Sequence, residues 1–304
     1  NAPNEEDTSL PYQLSPSYKN IISVLLECKS KQTRNFADIT GVAEDTLVLE
    51  ANGSVSSIVD WARASKLDKN QQRAFEITGH FMLTFFSDDA NQSELPQRCF
   101  RKEKLYLRQL VQMKIRNCDQ LICLLHGPGG SGKTAVLDLV QAYAREYCSY
   151  LDNFQFTAQT IVVTAMSGVA ATILLGETTA RALHLNRKID NIKPQHLEEW
   201  RNTHLVIIDE ISFADEKDFA NINTKLGVLC QSINKKYGGL NIVFSGDFRQ
   251  LEPVKKGGPI YKAPAPEFKD WINCFIELEG MHRFKEDPEW GELLQRFQKW
   301  RSYR

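Results

Sequence analysis

The sequence predicts an α/β fold, a mainly parallel sheet held between two layers of helices and preceded by a mixed or helical N-terminal extension. Three observations carry that prediction. Five short apolar runs, near 121–125, 160–165, 204–208, 240–244 and 274–278, are continuous rather than alternating, as in strands buried on both faces. Helical patterns separate them, which calls for right-handed parallel crossovers. Finally, the first run leads directly into Gly127-Pro128-Gly129-Gly130-Ser131-Gly132-Lys133-Thr134. That stretch fits G-x-x-x-x-G-K-[ST], a loop whose backbone N–H groups face the phosphates of a nucleotide.

Composition sets the outer bounds. The chain has 304 residues, 42% apolar and 25% charged, with a formal net charge of −1. These values are ordinary for a globular protein and announce no strongly basic or acidic partner. No apolar run approaches the roughly 20 residues of a membrane-spanning helix, so no membrane partner is expected. The polar start Asn1-Ala-Pro-Asn-Glu-Glu-Asp7 is not a secretory signal and lacks an initiator Met, so a piece of a longer intracellular protein is expected. A nuclear or mitochondrial address would lie outside these residues. Seven scattered cysteines without a C-x-x-C pair read as reduced thiols, and the six histidines show no ligand spacing.

Taken in order, residues 1–20 read as a lead-in and 21–66 as a mixed stretch in which 21–26 favours a helix. Residues 1–66 together form an extension of unknown role. From Leu67 the pattern changes. Asp68 is placed to cap a helix running through Phe75, Ile77, Phe81 and Phe85. Residues 87–119 are polar and carry Arg98, Arg101, Lys102, Lys104, Arg108, Lys114 and Arg116, either a solvated helix face or a phosphate-contacting patch. After the glycine-rich loop, Val136, Leu139, Val140, Tyr143 and Tyr147 recur at helical spacing, which sets a helix N-terminus against the phosphates. A short helix is expected over 168–175. Asp215 is expected to cap a helix with Phe219, Ile222, Leu226, Leu229 and Ile233 on one face. Asp287 and Pro288 open a last helix with Trp290, Leu293, Leu294, Phe297 and Trp300 as its stripe.

Ligands of such a sheet collect beyond the carboxyl ends of its strands. What stands there in this chain is Lys133-Thr134, then Asp209-Glu210, then Gly246-Asp247-Phe248-Arg249-Gln250. Lys133 suits the β- and γ-phosphates of ATP, and Thr134 and Asp209 suit the shell of a Mg²⁺ ion. Glu210 suits orientation and deprotonation of an attacking water. The amide of Gln250 suits a bridge from the γ-phosphate or water to a neighbouring element. Singly, an Asp-Glu after a strand is often a helix cap; together, at comparable strand ends, these residues point to ATP hydrolysis.

The motifs resemble the Pif (petite integration frequency) and RecD branch of superfamily 1 DNA helicases. The matching pieces are Leu67-Asp-Lys-Asn-Gln71, the Gly127 to Thr134 loop, Thr164-Ala-Met-Ser-Gly-Val-Ala-Ala171 with Gly176-Glu-Thr178, Ile207-Ile-Asp-Glu-Ile-Ser212, Gly246-Asp-Phe-Arg-Gln-Leu-Glu-Pro253 and residues 278–296. The resemblance implies that 67–304 form the first RecA-like lobe of a P-loop NTPase. The rest of the motor would be a second RecA-like lobe beyond Arg304. It implies 5′-to-3′ movement on single-stranded DNA, unwinding at duplex junctions, and work in DNA repair, recombination or telomere maintenance. It assigns adenine reading to Gln71 and an arginine finger to Arg283. Thr164, Ser167, Gly168 and Thr178 take positions that touch the DNA backbone. Phe248 matches an aromatic in the motif coupling nucleotide to DNA, with stacking on a base open to it.

Two departures stand out. Thr179-Ala180-Arg181 replaces the family's hydrophobic-His-Ser, leaving Arg181 as a candidate phosphate contact. The link from Gln71 to Gly127 is longer than usual, which makes the basic segment an insertion. A nucleotide-binding module derived from a helicase, without unwinding activity, is the alternative.

Overall fold

A computed structural model of the chain describes residues 58–89, 120–149, 155–249 and 266–280, together with Ile260, His282, Glu289 and Leu293. The expected helix at 21–26 and the basic segment from Arg98 to Arg116 lie outside the described residues, as does the expected helix after Asp287 apart from Glu289 and Leu293, which are both helical.

Among the described residues six strands form one sheet: β1 (Ile122–His126), β2 (Ile161–Ala165), β3 (Glu177–Thr178), β4 (Leu205–Asp209), β5 (Asn241–Gly246) and β6 (Cys274–Glu277). Their order is β3-β2-β4-β5-β1-β6, and every pairing is parallel. The continuous apolar runs have their explanation in two cores. Leu121, Cys123 and Leu125 of the β1 region join Ile207, Val243 and Ile276 on one face. Ile122 and Leu124 join Val206, Ile208, Phe244 and Phe275 on the other. With side chains alternating across the pleat, a strand covered on both sides must be apolar at every position.

Helices α1 (Ile58–Ala64), α2 (Lys69–Asp89) and α3 (Lys133–Ser149) pack on the first face. Phe75, Ile77, Val140 and Tyr143 enter that core, and Trp61 meets Tyr143 edge-on at 5.4 Å. Among the described residues, α4 (Gly168–Ile173), α5 (Thr179–Ala182), α6 (Pro194–Trp200), α7 (Glu216–Leu229) and α8 (Pro266–Lys269) follow. Trp200, Phe219, Leu226 and Phe268 fill the second core.

Asparagine side chains fix the register at the entry of β1. Asn241 Oδ1 accepts from Leu121 N–H at 2.8 Å, and Asn273 Oδ1 accepts from Ile122 N–H at 2.9 Å. Both are tertiary contacts of more than a hundred residues' separation, so the strand carrying the phosphate loop is anchored before the loop begins.

Three details differ from the expectations. The sheet gains β3, a two-residue edge strand with no apolar signal of its own. Helix α1 packs its Ile58 and Ala62 into the main core, so the packed body begins ahead of Leu67. Asp215 does cap α7, accepting from Asp218 N–H at 2.8 Å while Asp218 returns a bond to Asp215 N–H. The stripe, however, stops at Leu229. Gln231 takes a left-handed conformation (φ 52°), which ends the helix and leaves Ile233 74% exposed.

Candidate functional site

The phosphate loop begins where β1 meets its neighbours. Gly127 N–H donates to Gly246 O at 3.3 Å, and Ser131 N–H to Pro128 O at 3.1 Å, before α3 opens at Lys133. Gly132 is indispensable on two counts. Its φ of +83° lies in the left-handed region, and a Cβ there would stand 2.2 Å from Gln71 Nε2. Gly127 is equally confined, since a Cβ would approach Ser131 Oγ at 2.6 Å and Leu278 O at 2.7 Å. Gly129, Gly130 and Ser131 complete the turn, and the buried Ser131 hydroxyl has no hydrogen-bond partner among the described residues. Lys133 folds its ammonium back on the loop, donating to Gly127 O at 2.6 Å and Pro128 O at 3.2 Å. Thr134 follows in the first turn of α3.

Gln71 lies at the edge of this loop, and the reason is a capping box. Asp68 Oδ1 accepts from Asn70 and Gln71 N–H, both at 2.9 Å, while Gln71 Oε1 accepts from Asp68 N–H at 2.9 Å. That leaves Gln71 Nε2 to donate to Ser131 O at 2.9 Å. The amide therefore ties the start of α2 to the loop. His282 adds a second tie that the sequence did not reveal. Its N–H donates to Gly130 O at 2.8 Å, and its Nε2 lies 3.0 Å from the free oxygen of the Asp68 carboxylate. Only its position beside Arg283 hinted at a role; Arg283 itself lies outside the described residues.

Asp209 closes β4, two strands from β1 with β5 between them. Two interstrand spacings put its carboxylate about 10 Å across the sheet from the loop. The side chain is buried, and its Oδ1 has no hydrogen-bond partner among the described residues. Glu210 then adopts φ 54°, ψ 37°, a left-handed conformation that a non-glycine residue rarely takes, and begins a 3₁₀ turn over Ile211–Phe213. Backbone strain sits on the residue expected to face the attacking water.

At the end of β5, Asp247 Oδ1 accepts from Arg249 N–H at 2.9 Å. Phe248 is buried, edge-on to Phe268 at 5.3 Å and stacked on His126 at 6.1 Å. It belongs to the second core and offers no free face for a base in this arrangement. Gln250 lies outside the described residues.

The residues matched to the DNA backbone divide into two groups. Ser167 caps α4 by accepting from Ala170 N–H at 3.2 Å, Gly168 faces open space, and Thr178 caps α5 by accepting from Arg181 N–H at 3.3 Å. Ala165 pairs with Thr178, so both caps stand at the carboxyl end of the sheet. Arg181 projects outward beside Glu177, at 3.5 Å. Thr164 is different. It is fully buried in β2, its hydroxyl donating to Ile207 O at 3.1 Å and meeting Thr179 Oγ1 at 3.1 Å. In this arrangement its hydroxyl is spent inside the sheet, unlike those of Ser167 and Thr178 at the sheet's end.

Comparison with known proteins bears on the whole arrangement. The family model "PIF1-like helicase" matches residues 101–301. Among curated relatives, the ATP-dependent DNA helicase PIF1 of Saccharomyces cerevisiae (strain YJM789) is 29% identical over 186 residues, 56% of this chain and 20% of the relative. ATP-dependent DNA helicase RRM3 of S. cerevisiae (strain ATCC 204508 / S288c) is 32% identical over 142 residues, 43% of this chain and 18% of the relative. PIF1 of Emericella nidulans is 26% identical over 311 residues, 96% of this chain and 39% of the relative. The chain thus spans well under half the length of these relatives. The family match runs over well more than half of the chain, through the loop, both acidic and glycine-bearing strand ends and β6, and by it the chain belongs to the PIF1-like helicase family.

Proposed function

We propose that this chain is the first motor lobe of an ATP-dependent DNA helicase, in which ATP hydrolysis drives movement along single-stranded DNA. The observation that carries the reading is the pairing of a phosphate loop with Asp209-Glu210 across one intervening strand. The buried Asp209 Oδ1, without a hydrogen-bond partner among the described residues, suits a metal-bound nucleotide, as does the cradle that a Cβ at Gly127 or Gly132 would fill.

On this reading the loop N–H groups and the N-terminus of α3 bind the phosphates, and Lys133 exchanges its loop carbonyls for β- and γ-phosphate oxygens. Thr134 and Asp209 would hold Mg²⁺, which would supply neutralisation of phosphate charge. Glu210 takes a proton from the attacking water, and its left-handed backbone fixes the carboxylate's direction. Gln250 links the γ-phosphate or water to its neighbours, Arg283 stabilises charge there, and Gln71 contacts adenine at the loop's edge. Ser167, Gly168, Thr178 and Arg181 carry the DNA strand along the sheet's carboxyl end, with Arg181 standing in for the missing histidine. Movement is 5′ to 3′ toward duplex junctions, a second lobe closes the site, and repair, recombination or telomere maintenance in nucleus or mitochondrion is the setting. These last attributes rest on family membership.

The test is ATP turnover by the full-length protein with and without oligo(dT). Stimulation by the oligonucleotide, abolished by Lys133→Ala, is expected; turnover indifferent to DNA would refute the reading. The second reading, a nucleotide-binding module without unwinding, draws support from Ala180 and from the interior positions of Thr164 and Phe248. Strand displacement on a forked duplex separates the two.

A further inference from the structure

His126 ends β1 directly before Gly127, and none of the chemistry above uses it. Its ring is completely buried, and neither nitrogen has a hydrogen-bond partner among the described residues. Two aromatic rings lie roughly parallel to it: Phe248 at 6.1 Å with 12° between planes, and Phe275 at 6.2 Å with 25°. Carboxylates stand at both edges. Nε2 is 3.8 Å from Asp247 Oδ1, and Nδ1 is 3.8 Å from Glu277 Oε1. Arg249 joins the two acids from outside, its N–H on Asp247 Oδ1 at 2.9 Å and its Nη2 on Glu277 Oε1 at 2.5 Å.

Both 3.8 Å separations exceed hydrogen-bond range, and a movement of roughly 1 Å closes either one. Because the two acids meet different ring nitrogens, a displacement that closes one separation widens the other. The result is an element with two discrete arrangements, joined through one peptide bond to the phosphate loop. Gly127 is wedged between the ends of β5 and β6, through Gly246 O and Leu278 O, so a shift of the loop reaches His126 and both acids together.

We propose that His126 is a positioning residue whose choice between Asp247 and Glu277 transmits occupancy of the phosphate loop to the Asp247–Phe248–Arg249 turn, and thereby to the DNA-facing end of the sheet. The inference rests on the motor reading given above and names a residue through which its two ligands communicate. Coupling of this kind requires a two-state element that both sites bias, and it is reciprocal.

The experiment measures the dissociation constant of labelled oligo(dT) for the full-length protein, with and without a non-hydrolysable ATP analogue. Wild type is expected to show a ratio of at least about fivefold. His126→Phe keeps the aromatic stack and removes both nitrogens; its ratio is expected to fall to near one. His126→Gln, which restores a donor and an acceptor, recovers part of the ratio, a rescue that a packing role would not give. An unchanged ratio in His126→Phe overturns the proposal. Should that variant fail to fold, Glu277→Gln carries the test, because removing one charge biases the ring toward Asp247: a shifted ratio supports the proposal and an unshifted one overturns it. A wild-type protein without oligonucleotide binding, or with a ratio of one, defeats the motor reading itself and is distinguished by appearing before any substitution is made.

Discussion

The side-chain amide of Gln71 donates to the main-chain carbonyl of Ser131 at 2.9 Å across sixty residues of sequence. Its other end is held by Asp68 N–H, so the residue expected to read adenine is also a structural member of the phosphate loop. The two roles predict different selectivities. Losing one such hydrogen bond costs about 1 kcal/mol, roughly a fivefold to tenfold change in affinity. Gln71→Ala is therefore expected to weaken ADP and GDP alike by about that factor, in addition to any lost preference for adenine. Fluorescent nucleotide titrations check this. A loss confined to ADP would show that the contact with Ser131 contributes nothing to the loop.

Gly132 gives that contact a second test. An alanine there would suffer left-handed strain of about 1 kcal/mol or more and push its Cβ into Gln71 Nε2. Gly132→Ala is expected to lower the melting temperature and abolish nucleotide binding. The double substitution with Gln71→Ala removes the collision but keeps the strain, so the two effects should be less than additive in stability. Strict additivity in thermal unfolding would mean that the two side chains do not meet.

At Glu210 the left-handed backbone separates stability from chemistry. Glu210→Gln is expected to keep nucleotide affinity and lose turnover. Glu210→Gly should also lose turnover while gaining about 1 kcal/mol of stability, because glycine adopts φ 54° without strain. Chemical denaturation measures the gain. A destabilised Glu210→Gly would contradict the assignment of strain to this residue.

Much of the sheet was legible because its strands are buried on both sides, which forces unbroken apolar runs at 121–125 or 204–208 whatever their partners. The phosphate loop was legible because its geometry admits only glycine at Gly127 and Gly132. Other features depend on contacts that no local pattern encodes. Glu177–Thr178 is a strand only because β2 offers it an edge. Ile233 follows a helical stripe in sequence, but Gln231 turns the chain before it arrives. Thr164 and Phe248 read as surface contacts through their motifs, yet the fold spends one on Ile207 O and the other on Phe268. His126 and His282 carried no spacing signal at all; the acids they face, Asp247 and Asp68, are distant in sequence.

Thiol reactivity follows from the same burial. Burial pushes the Cys148 and Cys230 thiols up to about 12, and Cys123, hydrogen-bonded to Cys274 on the adjacent strand, is raised as well. A thiol is the reactive species only after deprotonation, so at pH 8 these three stay neutral. Site-resolved alkylation of the native protein is expected to leave Cys123, Cys148 and Cys230 unmodified until denaturant is added. Rapid native labelling of Cys123 or Cys148 would mean that the β1 and α3 core opens readily.

Thr164 and Arg181, both expected at the DNA track, should respond oppositely to substitution. Thr164→Val keeps the shape but strips the hydroxyl that serves Ile207 O and meets Thr179 Oγ1. Leaving the buried Thr179 hydroxyl without its partner costs about 1–3 kcal/mol, so stability falls while affinity for oligo(dT) holds. Arg181 is 79% exposed and its ion pair with Glu177 is solvated; its removal leaves the melting temperature alone. Each phosphate neutralised on a single strand contributes about 0.7 to the slope of log affinity against log salt. Arg181→Ala is thus expected to weaken oligo(dT) binding and flatten that slope by about 0.7. Binding titrations over a salt series read both quantities. Should Thr164→Val weaken DNA binding at unchanged stability, the hydroxyl must leave the sheet to meet the strand, and its interior position would be one of two.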